Sequence, residues 1–480
     1  MTLPRLAIPD WGLLYAITEW VIRIVMLGYV PQRRTPAAAR TWLLLIFFFP
    51  WGGLILYLIL GRLHLPKRRR TQLETLSNRV REAASLLPPE IRTPLDTLPP
   101  EVADAARLAE NLTAFPMLGR NHIELLDGYT ESLARLAGDI DAAQRQVHLL
   151  YYIYGDDDVA AVVTRAVERA AARGVSCRLL LDGVGSKAAL RSLAPRLRAQ
   201  GIEVTELLPV RFFHHRGARA DIRNHRKIAV LDGQVGYVGS QNVVAPGFVP
   251  GFPNEELVAR VTGPIVAALE AAFLSDRWQE IQEDIGVTPA IQSQSATGGA
   301  FAQLVPSSPG YRQQTFATLL ISVIHQSRSR VHITTPYFVP DEPFLAAIRT
   351  AVQRGVDVRL VLSKNSNQMF TIFAQRSFYD ELLDAGVRVF LYRPRFLHAK
   401  SILVDDDVAI IGSSNIDIRS FALNAEASLL IHDGEVAANL RRINDRHFAN
   451  SDELDAATWA RRPFVARAAQ NIARLADSLL

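Results

Sequence analysis

The sequence predicts an α/β fold of two tandem halves. Each half is a mixed sheet covered by helices, and the two face each other as a pseudo-dimer behind an N-terminal transmembrane hairpin. Three observations predict this. One stretch occurs twice, the order strand–helix–strand occurs twice, and the first 60 residues carry two long apolar runs.

The chain has 480 residues, too many for one simple core and suited to two related domains plus an anchor. Hydrophobic residues make up 49% and the mean hydropathy is +0.09, high for a water-soluble enzyme. The net charge of +5 favours anionic partners, either an acidic membrane surface or a polyanionic substrate. Cys177, the single cysteine, cannot form an internal disulfide and reads as a small buried hydrophobe. The expected organisation is an anchor over 1–70, a connector over 71–118, a first half over 119–285, a linker over 286–299 and a second half over 300–480.

In the anchor, residues 11–30 are apolar except for Glu19 and Arg23, which a helix places on one face as a pair. Such a pair is costly in a membrane span unless it meets a partner helix or an interface. Residues 41–60 carry no charge, and a helix of that length covers ~30 Å, enough to cross the hydrocarbon core. A cleaved signal peptide is the rival for the first run. It lacks a small-residue cleavage site, and the second run follows within a dozen residues. A buried core hairpin is the other rival, opposed by the uniformly apolar 47–51 and 55–60. Arg62 and the basic run 67–70 follow the second span, against Arg33, Arg34 and Arg40 in the loop. The expected topology is therefore multi-pass, with the two halves on the cytoplasmic side. The run 67–70 is either this topology signal or an anionic-headgroup site.

The connector contains LPPEIRTPLDTLPPEV, whose prolines discourage long helices; short helices flank it, one around 102–112. In the first half, residues 147–154 read as a strand, 159–173 as a helix stopped by Gly174, and 177–181 as a strand. The second half repeats this with a strand at 331–335, a helix at 344–353 stopped by Gly355, and a strand at 358–362. The tail from 464 to 480 reads as a helix packed by the stripe Phe464, Ala468, Ile472, Leu475 and Leu479, with lying on the membrane as the alternative.

The duplicated stretch is HRKIAVLDGQVGYVGSQN at 225–242 and HAKSILVDDDVAIIGSSN at 398–415. Both copies read His-x-Lys-x4-Asp-x6-Gly-Ser-x-Asn without a gap. Side chains two apart on a strand share a face, so His225 projects with Lys227 and His398 with Lys400. Asp232-Gly233 signals a hairpin whose return strand brings Ser240 and Asn242 back beside the pair; Ser413 and Asn415 do the same in the second copy. Two such units facing each other surround one pocket with two imidazoles, two ammonium groups and hydrogen-bond donors. That pocket suits a phosphate and needs no metal. His214-His215 lacks an accompanying carboxylate or cysteine cluster, so it does not read as a metal site.

In duplicate, His-x-Lys-x4-Asp resembles the phospholipase D superfamily. The segments RNHRK at 223–227, TPYFVP at 335–340, RGVDV at 354–358 and NIDIRS at 415–420 are similar to bacterial cardiolipin synthases. The likeness spans nearly the whole chain. It implies a catalytic set of His225, Lys227, Asp232, His398, Lys400 and Asp405, with His225 as nucleophile and His398 as acid/base. The residues alone do not separate the two histidines. The resemblance further implies transfer of a phosphatidyl group between two phosphatidylglycerol molecules, giving cardiolipin and glycerol. No cofactor, nucleic acid or obligate protein partner is expected, and anionic membrane lipids are.

Lys227, Lys400, Ser240, Asn242, Ser413 and Asn415 are expected to bind the phosphate. Asp232 and Asp405 lie seven residues from their histidines, which places them off that face, as braces of the hairpin. Glu256 and Glu426 follow the two motifs at similar distance and are the expected partners that orient the histidines. The resemblance implies Trp-x-Asp around the first of them, where this chain has Pro253-Asn254-Glu255-Glu256. Glu255 reads as a solvated loop charge. The basic-aromatic stretch 211–216, with Arg219 and Arg223 beyond it, and the apolar loop 247–252 are candidate lipid contacts; a solvated basic face and a packed turn are the plain readings. Competing functions are a lipid hydrolase or a transferase with another donor or alcohol, a nuclease-like phosphodiesterase and an inactive membrane scaffold.

Overall fold

A computed structural model describes residues 11–34, 36–61, 67–210, 221–282, 298–311, 314–366 and 368–475. Outside the described residues lie the basic-aromatic stretch 211–216 with His214, His215 and Arg219, most of the expected linker 286–299, Arg62 and Leu479.

The anchor begins with helix α1 (Trp11–Tyr29), long and apolar enough to cross a membrane. The second apolar run departs from the expected single span over 41–60. It forms two helices, α2 (Pro36–Phe48) and α3 (Pro50–Leu60), too short singly for the ~20 residues a span needs. Pro50 explains the break. It has no N–H to continue α2, but it fits the first turn of α3, where that donor is not required. The two helices pack on each other so closely that a Cβ on Gly53 would meet the Ile46 backbone at 2.8 Å. Arg23 pairs with Glu19 at 3.4 Å and donates to the Phe47 carbonyl at 3.1 Å, in the last turn of α2, where carbonyls lack helical partners. The charged pair of α1 thus meets a neighbouring helix.

The connector is more ordered than its prolines predict. Helix α4 (Lys67–Ser85) packs on the first half. There Arg69 pairs with Glu280 at 2.7 Å and Arg68 donates to the Gln279 carbonyl at 2.7 Å, so both are held by protein rather than left for headgroups. Helix α5 (Pro100–Thr113) packs into the second half through Val102, Ala106 and Ala109.

The first half contains β1 (Leu118–Leu126), β2 (Gln146–Tyr151), β3 (Ser176–Asp182), β4 (Glu203–Leu207), β5 (Lys227–Leu231), β6 (Val235–Gly239), β7 (Asn254–Glu255) and β8 (Val258–Thr262). The second contains β9 (Ala300–Ser307), β10 (Arg330–Thr334), β11 (Phe338–Val339), β12 (Asp357–Ser363), β13 (Arg388–Tyr392), β14 (Phe396–Leu397), β15 (Ser401–Val404), β16 (Val408–Gly412), β17 (Ile416–Asp417), β18 (Glu426–His432) and β19 (Ser451–Glu453). The expected crossover helices form at Ala160–Ala172 and Glu342–Gln353. Fifteen strands make one sheet in the order β19-β13-β12-β10-β15-β16-β18-β9-β1-β8-β6-β5-β2-β3-β4. Its two parts join where β1 meets β9 and repeat the same seven-strand order outward from there, with β19 added at the outer edge of the second. Parallel neighbours β2-β3-β4 and β10-β12-β13 flank the antiparallel hairpins β5-β6 and β15-β16. The inner faces pack together: Ile228, Val230, Ala259 and Val261 share a core with Leu403, Ala409, Ala427 and Leu429.

The C-terminal helix forms at Phe464–Leu475 but does not pack by the expected stripe. Gln470 and Ala473 are buried, whereas Phe464 and Ile472 are exposed.

The glycine of each Gly-Ser pair has a steric origin. A Cβ on Gly239 would lie 2.4 Å from the Leu257 carbonyl oxygen, and one on Gly412 would lie 2.3 Å from that of Ala427. Both obstacles are backbone, so Gly239→Ala and Gly412→Ala should each lower the unfolding free energy by about 1–3 kcal/mol. Gly138, within the helix Tyr129–Ala142, has open space around it, so Gly138→Ala should stabilise by about 0.5–1 kcal/mol. Denaturant unfolding in detergent reads both signs; equal effects at all three positions would refute the steric account.

Candidate active site

The two motif histidines end up in one site because the strands before them cross. The bridge Asn224↔Ala425 and the β14–β7 pair place the chain before each histidine beside the chain before the other half's glutamate. His225 N donates to the Ala425 carbonyl and His398 N to the Glu255 carbonyl, both at 2.8 Å. The side chains follow crosswise. His225 Nδ1 lies 2.9 Å from Glu426 Oε2, and His398 Nδ1 lies 2.7 Å from Glu256 Oε1. Each glutamate orients the histidine of the opposite half.

Glu255 faces elsewhere, toward Arg395 at 3.4 Å and His447 at 3.8 Å. It occupies the place of Ala425 in the other half, which explains why only Glu256 reaches a motif histidine.

Burial lowers both imidazoles to about 4, with the facing glutamate opposing the shift and the lysines of both motifs adding to it. Each is therefore neutral, with Nδ1–H donated to a carboxylate and the Nε2 lone pair free. Lys227 Nζ donates to the His225 carbonyl at 2.6 Å and Lys400 Nζ to the His398 carbonyl at 2.5 Å. Burial lowers Lys227 to about 7 and Lys400 to about 8. The Lys400 charge also lowers Lys227, so the two ammonium groups lie within electrostatic reach of each other.

The two carboxylates are held differently. Glu426 accepts hydrogen bonds from Ser413 at 2.5 Å, Ser420 at 3.2 Å and Asn424 at 3.4 Å besides His225. Glu256 accepts from Asn254 at 3.1 Å besides His398, with the Ser240 hydroxyl beside it helping to lower its carboxyl.

The expected phosphate-binding serines are committed elsewhere. Ser240 Oγ donates to the Leu257 carbonyl at 3.1 Å and accepts from Leu257 N, beside Glu256. Ser413 bonds Glu426 and accepts from Ala427 N. Both serines brace the glutamates. Asn242 accepts from Ile153 N at 3.0 Å through Oδ1. Asn415 is buried beside the site with Oδ1 unpartnered among the described residues.

Asp232 and Asp405 are corrections to the implied catalytic set. They sit at the hairpin tips with φ of 54° and 51°, about 16 Å along the strand from Lys227 and Lys400 and farther from the histidines. Asp232 accepts from the backbone N–H groups of Gln144, Arg145 and Gln146; Asp405 accepts from those of Arg328, Ser329 and Arg330. They pin the hairpins to the starts of β2 and β10.

Several contributors carried weak sequence signals. Arg226, the variable residue of the first motif, is buried against Asp276 at 2.6 Å and donates to the Glu426 carbonyl at 3.0 Å; Ala399 takes its place in the second copy. Asp182 accepts from Asn224 N and Ser363 from Leu397 N, both at 3.0 Å, just before each histidine. These two sit at strand ends. Tyr152 stands 4.8 Å from the His225 ring, with Lys227 over its face at 5.5 Å. Phe248, from the apolar loop, and Phe396 stand 5.4 and 5.6 Å from His398.

The family model for the phospholipase D-like domain of cardiolipin synthase matches residues 136–278 and 320–448, and that for the phospholipase D-nuclease N-terminal region matches 17–62. Cardiolipin synthase A of Yersinia pseudotuberculosis is 34% identical over 472 residues, covering 96% of this chain and 95% of the relative. The chain belongs to the cardiolipin synthase family of the phospholipase D superfamily. Cardiolipin synthase A of Yersinia pestis matches with the same identity and coverage. The phosphatidylserine synthase of Haemophilus influenzae shares the fold, with a TM-score of 0.58 at 14% identity over 78% of this chain and all of that one. Membership in this family makes the protein a membrane-associated phosphatidyltransferase acting on phospholipid, with cardiolipin synthesis as its activity.

The buried histidines leave a pH signature. They are neutral when folded and protonate near 6.5 when unfolded, so stability is full above 6.5 and falls as the pH drops toward 4. His332, also lowered to about 4, adds to this window. The lowered carboxyls of Glu256, Glu426, Asp232 and Asp405 act below it, losing their contribution through and under pH 4.5. Unfolding free energies from denaturant titrations should fall between pH 6.5 and 5 by up to about 1.4 kcal/mol per pH unit for each such histidine. The slope should flatten in His225→Asn/His398→Asn; an unchanged slope would contradict neutral burial.

Proposed function

We propose that the protein transfers a phosphatidyl group from one phosphatidylglycerol to another through phosphatidyl-His225, releasing glycerol and then cardiolipin. The observation that carries this reading is the crosswise pairing of two histidines and two glutamates, with a lysine donating to the carbonyl of each histidine, on a chain whose α1 is long and apolar enough to cross a membrane.

His225 Nε2 attacks the phosphorus of the first lipid while Lys227, Lys400 and the Asn242 and Asn415 amides balance its negative charge. The bond from phosphorus to the headgroup glycerol oxygen breaks, and His398 in its protonated form gives that oxygen a proton. His398, now neutral, takes the proton from a hydroxyl of the second lipid's headgroup glycerol. That oxygen displaces His225 from phosphorus. One phosphodiester replaces another, so the reaction is balanced without a nucleotide.

The unequal carboxylates support this division. Glu256 has fewer donors than Glu426, so more of its charge is available to hold a proton on His398. A bound phosphodiester adds further negative charge in favour of that proton. Glu426 is satisfied by neutral donors, which keeps His225 a neutral nucleophile. The more basic flank of the second apolar segment supports a multi-pass anchor with the site on the cytoplasmic side.

Labelled phosphatidylglycerol in bilayers should yield cardiolipin and glycerol, with turnover reduced about 10³-fold or more in His225→Ala and in His398→Ala. Phosphatidic acid as the only product would replace the synthase reading with a hydrolase. Acid-quenched enzyme should carry the phosphatidyl adduct on the peptide containing His225; an adduct on His398 would reverse the roles. Glu256→Gln and Glu426→Gln should each slow turnover about 10²–10⁴-fold with little change in KM, because each disturbs only the proton balance of the opposite histidine.

A further inference from the structure

Outside the anchor, and apart from the single Leu86, the strongest apolar exposure among the described residues is concentrated on two helices. Met369 and Phe370 open the helix Met369–Ser377, and Phe464, Val465 and Ile472 lie on Phe464–Leu475; these five side chains are 67–77% exposed. The two helices pack against each other. The C-terminal one does so by small and polar positions, with Gln470 and Ala473 buried. Its bulky side chains therefore face outward, the reverse of a helix that packs to stabilise a core. Monomeric soluble proteins seldom leave such surface bare.

The helix pair stands close to the candidate site. Gln375 Oε1 accepts from Phe338 N at 3.0 Å, and β11 pairs with β17, which begins directly after Asn415. Ser363, six residues before Met369, receives the N–H of Leu397 at 3.0 Å, next to His398. The charge around the pair is one-sided. The stretch 461–474 holds four arginines and no acidic residue. Arg462 is paired with Asp380 at 2.5 Å and Arg474 with Glu381 at 3.1 Å, while Arg461 and Arg467 are exposed.

We propose that this helix pair is a second membrane contact, which seats Phe370, Phe464 and Ile472 in the acyl boundary of an anionic bilayer beside the mouth of the site. The occupant is the bilayer because α1 is long and apolar enough to cross one, and because an apolar surface with a cationic rim matches a layer with anionic headgroups. The proposal rests on the reading of the substrate as a lipid of that bilayer. It gives the reaction a local entry, since lipid at this surface lies next to His398 without crossing water.

The test uses the full chain reconstituted in phosphatidylglycerol-containing vesicles, with an environment-sensitive fluorophore on Phe370→Cys or Ile472→Cys; the native Cys177 is buried. The expected result is a blue-shifted emission quenched by spin-labelled lipid. Emission as in water would overturn the proposal. So would a blue shift that lipid does not quench, which would identify a second copy of the chain as the occupant. In parallel, Phe370→Glu/Ile472→Glu should form cardiolipin at least fivefold more slowly from bilayer phosphatidylglycerol while turning over a monomeric short-chain analogue at the unmodified rate. Equal loss on both substrates would mean damage to the fold and overturn the proposal. Failure of the unsubstituted protein to make cardiolipin would sink the substrate reading instead, and the lipid-quenching result would still judge the contact.

Discussion

Each motif histidine is held by a carboxylate from the other half of the chain, 201 residues away for His225 and 142 for His398. Most of the architecture follows from this crossed pair of hydrogen bonds. A half-site alone would hold an imidazole with no acceptor for Nδ1–H and a glutamate buried without its cation-like partner. An uncompensated buried charge costs several kcal/mol, so the two halves are bound to each other by electrostatics as well as by their shared apolar core. The buried Arg226–Asp276 pair belongs to the same constraint, because Arg226 spends its remaining donors on backbone carbonyls of the second half.

The near-symmetry of the site is functional and so is its imperfection. Two identical histidines would share one protonation state, whereas two-step transfer needs one that attacks and one that carries a proton. The differences lie around the motif rather than in it. Ser420 supports only Glu426, whereas an asparagine two residues upstream serves both glutamates; Asp182 stands where the other half has Ser363, and a tyrosine flanks His225 where phenylalanines flank His398. In the proposed mechanism the duplicated motif supplies the chemistry, and the different surroundings of the two histidines divide the roles.

Access is the other side of the same geometry. Groups buried deeply enough to be neutral are shielded from water, which suits transfer to a lipid alcohol over transfer to water. The apolar rings of Phe248 and Phe396 beside His398 extend that dry environment toward the second half. On that side lie the outward-facing residues of the C-terminal helix pair.

The sequence by itself determined the duplication, the strand–helix–strand order of both halves and the His/Lys pairs, because these depend on periodicity and on side chains two apart on a strand. It also identified Glu256 and Glu426, through their matched spacing, and the hairpin role of the aspartates, through their offset. It could not assign each glutamate to a histidine, since that requires knowing that the strands before them cross. The break at Pro50 was visible as a residue but obscured by the uninterrupted apolar run, where hydropathy and backbone hydrogen bonding point in different directions. The serines were misread as phosphate ligands because their hydroxyls are claimed by the Glu426 carboxylate, 13 residues on, and by backbone 14 and 17 residues on, contacts only the folded sheet creates. The inverted C-terminal helix has the same origin: periodicity shows that a face exists, and only the neighbouring helix decides which face is covered.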